Sequence, residues 1–122
     1  MNSEEFVRAL KVACSDLSGS QAIASYQNPP GRSPSQRLKR LSKWFLQLTQ
    51  ADQVMLIEAL DDVAEAVLFG VLCVLDGVRE IENEPDNGEL ELYYVRGGAR
   101  VLLNDVKQGE LHDIFQAMRS FD

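Results

Sequence analysis

Histidine and cysteine are scarce in this chain, one and two respectively among 122 residues. One histidine excludes a histidine-rich metal site. His112 precedes Asp113 and lies off the apolar stripe of its helix. A general base needs a substrate proton or nucleophile in reach and an orienting partner, and the pattern offers neither, so His112 is expected on the solvated surface. Two cysteines are too few for a disulfide framework or a cysteine-rich zinc site. Cys14 and Cys73 both fall in apolar helical patterns and are expected to be reduced core thiols. Long hydrophobic runs are also missing. The longest uncharged one, residues 66–75, is about half of the ~20 residues that a membrane span needs. The opening MNSEEFVRAL has no basic region followed by an apolar one, so no secretory signal is expected and a cytoplasmic protein follows. Phosphate-binding glycine patterns are absent too. There is no G-x-G-x-x-G, Gly97-Gly98 lacks the lysine and helix of a P-loop, and no serine stands in a G-x-S-x-G elbow. The sequence therefore predicts no catalytic residues, no metal and no cofactor.

What is present is an ordinary globular balance of 45% hydrophobic and 25% charged residues. The length fits one domain over 1–122 with a single core. Net charge is −7 and unevenly spread. Residues 1–50 hold seven Lys/Arg against three Asp/Glu, residues 51–95 hold one against twelve, and the remainder balances. Either the basic and acidic segments attract each other within the fold, or the acidic one faces a basic partner. The basic run Arg32, Arg37, Lys39, Arg40 and Lys43 lies beside Trp44. It could contact phosphates, but Trp44 borders a core stripe and the overall charge opposes nucleic acid.

Helical periodicity predicts helices over 3–17, 34–48, 51–82 and 110–120. Asn2 and Glu5 have the spacing of a capping box, and Ser33-Pro34 with Gln36 that of a second start. Residues 18–33 are expected to form a stiff loop with at most a helical turn at 21–26, stopped by Pro29-Pro30. In the third helix Glu58, Asp61, Asp62, Glu65, Asp76, Arg79 and Glu80 share one arc, with Leu56, Leu60, Val63, Val67, Val71, Val74 and Val78 opposite. Between residues 66 and 75 the polar arc is filled by Leu68, Phe69, Leu72 and Cys73, so the middle of this helix is expected to be buried all round, with Val67, Val71, Leu72 and Val74 in the core. Straight, it would be ~48 Å long, too long for a compact domain, so either it bends, at Gly70 or Gly77, or its ends meet something else. Glu58, Asp61, Asp62 and Glu65 resemble a hard-cation cluster. No helical Glu-x-x-His accompanies them, and a solvated face is expected instead.

A hairpin is predicted over 89–104, with Gly97-Gly98 as a two-residue primed turn. That register puts Tyr94 opposite Val101, Tyr93 opposite Leu102 and Val95 opposite Arg100. Tyr93, Val95 and Leu102 form an apolar outer face, a candidate contact patch. The last helix shows an apolar stripe of Leu111, Ile114, Phe115, Met118 and Phe121.

The segments CVLDGVREIE, GELELYYVRGGARVLLND and LHDIF resemble small uncharacterised bacterial proteins of immunity or antitoxin type, over the C-terminal half. The resemblance implies a protein-binding role and assigns no residue. The fold expected is α+β and mostly helical, with about four helices around a long buried central helix and one hairpin near the C-terminal end. The function expected is non-catalytic protein binding, as an immunity-type inhibitor of a basic toxin. The alternatives are a homodimeric structural or accessory protein and a small nucleic-acid binder. The candidate contact residues are Asp61, Asp62, Glu65, Asp76 and Glu80 of the acidic arc, and Tyr93, Val95 and Leu102 of the hairpin.

Overall fold

The computed structural model describes residues 1–119. Its elements are α1 (Ser3–Cys14), α2 (Ser18–Gln27), α3 (Gln36–Leu46), α4 (Gln50–Leu75), β1 (Tyr93–Arg96), β2 (Ala99–Leu102), a 3-10 turn (Val106–Gln108) and α5 (Leu111–Met118). This is the mostly helical α+β class with one antiparallel hairpin. Phe121, expected on the apolar stripe of α5, lies outside the described residues.

Local chemistry sets most of the boundaries. Asn2 and Glu5 form the reciprocal capping box that starts α1. Thr49 caps α4 by accepting from the Asp52 amide. The start of α3 is corrected from Ser33 to Ser35, whose hydroxyl accepts from Leu38 N–H and leaves Pro34 outside the helix. Residues 18–27 are a full helix rather than a turn. With Ser18, Gly19 and Ser20 inside it, its propensity is poor, and packing against α3 and α4 supplies the stability instead.

α4 ends at Leu75, seven residues earlier than its charge periodicity implies. Gly77 has φ +78°, its N–H donates to the Val74 carbonyl and the Val78 N–H to that of Cys73. That is a Schellman closure. The helix is thus ~39 Å long, and Gly77 stops it where a bend was expected. Gly97 and Gly98 both have positive φ, as a type I′ turn requires, and β1 pairs with β2 in the expected register.

The main core lies where α1, α4 and α5 meet. Val7, Leu68, Leu72, Leu111 and Phe115 are buried there, flanked by Phe6, Leu10, Phe69 and Ile114. α2 packs on the first half of α4 and holds α3 in turn, with Ile23 and Phe45 buried and Tyr26 tilted against Phe45 at 5.9 Å between ring centres. Asn104 ties the hairpin to α4: its amide donates to the Leu75 and Leu90 carbonyls, and its oxygen accepts from Leu92 N–H. Among the described residues no helix is long and apolar enough to cross a membrane.

Two burial expectations are corrected. Cys14 is exposed, at the last position of α1, while Cys73 is buried. More consequentially, α4 is rotated relative to its expected orientation. Leu72 is fully buried, but Val63, Val67 and Val71 are 58%, 62% and 49% exposed. Val74 is half-buried. The central helix is therefore buried on one side only.

Candidate functional site

Why α4 turns this way follows from what its carboxylates touch. Asp61 accepts a 2.7 Å hydrogen bond from Gly19 N–H in the first turn of α2. Asp76 accepts from Leu111 N–H at 3.1 Å and His112 N–H at 2.8 Å in the first turn of α5. Helix N-termini present unsatisfied N–H donors and a partial positive charge, and each of these carboxylates answers one. Glu65 accepts from Arg119 Nε at 3.0 Å, and the same guanidinium lies 3.7 Å from Asp62. The acidic arc is thus largely an internal fastening. Leu68, Phe69, Leu72 and Cys73 go inward with it, and the shorter valines face out. Larger side chains gain more from leaving water, which favours the same rotation.

The candidate residues consequently separate. Asp61 and Glu65 are half-buried, and only 2% of the Asp76 side chain is exposed. Asp62 and Glu80 remain exposed. Among the described residues Lys39, Arg40 and Lys43 enter no ion pair within 4.0 Å, so the basic segment of α3 is not what neutralises the arc. On the hairpin, Arg100 covers the Tyr93 ring at 4.0 Å from its centre, and Leu102 lines a cleft. Val95 is left outward by itself. The Tyr93 hydroxyl donates to Glu91 at 2.8 Å, and this bond to a carboxylate is the main cause that raises its pKa.

His112 is not the solvated histidine expected. Its Nδ1 lies 2.6 Å from Asp76 Oδ2, its ring meets Phe69 edge-on, and its Nε2 faces Glu110 at 3.3 Å and Asp113 at 3.4 Å. Among the described residues, Asp76, Glu110 and His112 bring their ligand-capable atoms within 4.8 Å of one another. Asp76 already accepts two backbone amides, and 2.6 Å to Nδ1 is a hydrogen-bonding separation, so its role here is to dock α5 on the end of α4. The sequence signal that could have found this lock was His112 in the first turn of a helix, beside an aspartate left over at the C-cap of another.

A cleft of about 560 Å³ opens between the end of α4, the 77–90 segment and the hairpin. Arg79, Glu80, Ile81, Leu102, Asn104 and Val106 are among its walls, and among the described residues no serine, threonine, cysteine, lysine or histidine lines it. It offers charge and shape without a nucleophile–base pair.

The broadest unsatisfied feature is the outward side of α4. Met55, Ala59, Val63, Val67 and Val71 recur every fourth residue and are all exposed, with Val54 and Ala66 beside them. This single ridge runs ~24 Å along the helix with no charge in it. Sequence reasoning placed its valines in the core, because periodicity locates an apolar face without saying what covers it. In comparisons with known proteins, no family model, no curated protein and no solved structure matches this chain.

Proposed function

We propose that this chain is a non-catalytic, cytoplasmic protein-binding domain whose interface is the Met55–Val71 ridge of α4. One observation carries the reading. The outward row of α4 from Met55 through Ala59, Val63 and Val67 to Val71 is apolar and exposed over its whole length. Contiguous apolar surface of this extent marks an interaction site. The test compares wild type with the Val63→Glu, Val67→Glu double variant as bait in native lysate, each captured protein being identified. The expected result is a specific partner, which can be the chain itself, held by wild type and lost by the variant while the variant still unfolds cooperatively. Equal capture by both baits would falsify the assignment of this surface.

A second reading has its own support. Glu80, Glu82, Glu84, Asp86, Glu89 and Glu91 are all exposed between α4 and the hairpin, with Arg79 as the only cation in that stretch. They would suit a basic protein, as an immunity-type inhibitor requires. Association through them would be fast and would weaken with added salt.

A further inference from the structure

We infer that the occupant of the α4 ridge is a second copy of this chain, packed antiparallel across a two-fold axis at Val63. The inference rests on the ridge being an interface and adds what fills it. Three features of the ridge select a copy over a foreign protein.

The first is area. With roughly half of each methionine and valine outside, the ridge with Val54 and Ala66 offers on the order of 500 Å² of apolar surface per copy. Two copies together would bury on the order of 1,000 Å², the scale at which a specific interface begins. The second is shape. Apart from Met55 the ridge is a row of valines and an alanine, short side chains that let two helices approach closely. Neither the cleft at the hairpin nor the shallower one beside Tyr26 and Leu41 reaches it.

The third is symmetry. An axis at Val63 sets Val63 against its own copy, Ala59 against Val67 and Met55 against Val71, so every member of the row has an apolar partner. The contact is isologous and closes at two subunits. The helix dipoles then oppose, and the exposed Glu58 and Asp62 stay at the rim.

The experiment uses the whole chain with Cys14→Ser, which removes the exposed thiol. Into it go Val63→Cys or, as control, Val95→Cys on the hairpin, Val95 being 61% exposed. A residue on the axis meets itself, so mild oxidation should link Val63→Cys into a covalent dimer and leave Val95→Cys largely monomeric. Sedimentation of the unmodified protein should show a dimer in the micromolar range. Val67→Glu, or Ala59→Glu should the former unfold, should return it to monomer with the melting temperature of wild type diluted to monomer. A monomer up to high micromolar concentration overturns the inference, as does a dimer that persists in both glutamate variants or cross-links only through position 95. If the chain is monomeric while the double glutamate variant still loses a captured foreign protein, the second copy is wrong and the interface survives. If capture is also unchanged, both fail.

Discussion

Gly19 lies where the first turn of α2 meets the backbone of α4. A Cβ there would sit 2.6 Å from the Ile57 carbonyl oxygen and 2.6 Å from Asp61 Oδ1, the atom that its own N–H binds. Alanine is the better helix former by about 1 kcal/mol, so propensity alone would make Gly19→Ala stabilising. Crowding against a main-chain oxygen, which cannot rotate away, outweighs that gain, and a net loss of about 1–3 kcal/mol is expected in urea unfolding. A gain would show that α2 can retreat from α4 without cost. Cys73 makes a second case at this scale. Burial is the main cause that raises its thiol pKa; Arg79 opposes the shift, and the carboxylates of Asp76, Asp113 and Glu110 add to it. As pH climbs past the ordinary thiol value the unfolded chain ionises first while the folded thiol stays protonated. Stability from this group is therefore complete below that value and declines above it. Unfolding measured from pH 7 to 10.5 should fall more steeply for wild type than for Cys73→Ala. In native protein a thiol reagent should titrate Cys14 at once and Cys73 only on unfolding.

At the scale of elements, α4 shows what sequence can and cannot specify. The α1 cap was legible because Asn2 and Glu5 make a local arrangement, and so was the hairpin register, fixed by the two glycines of its turn. α2 was missed because Ser18, Gly19 and Ser20 read as breakers and only contact with α3 and α4 overrides them. The orientation of α4 was missed for a different reason. With leucine, phenylalanine and cysteine on one side and valine on the other, both faces qualify as core. The choice fell to carboxylates that fasten the N-termini of α2 and α5, donors far away in sequence. The ridge now proposed as the interface was thus written in the sequence as core, and only its lack of a covering element was invisible. Two truncations in the same helix measure this rotation. Leu72→Ala should cost about 2–5 kcal/mol, since Leu72 is fully buried. Val67→Ala, at 62% exposure, should cost within about 0.5 kcal/mol when the chain is diluted to monomer. Equal costs would place Val67 back in the core.

For the whole molecule, charge and hydrophobicity make opposite demands. The chain carries −7, and the exposed carboxylates of the 80–91 segment repel a like-charged neighbour. The α4 ridge carries no charge at all, so attraction between two copies comes from apolar burial, which salt does not screen, while repulsion between their net charges is screened within a Debye length of ~8–10 Å at moderate ionic strength. Self-association should therefore strengthen as sodium chloride rises from 20 to 500 mM, most of the change falling below about 150 mM. A basic partner held by the acidic segment behaves in the reverse sense, since its attraction is the quantity that salt removes. Sedimentation across that series, repeated with Val67→Glu, separates the two. A dimer that tightens with salt and vanishes in the variant belongs to the ridge. One that loosens with salt, or ignores position 67, would have to be held by charge.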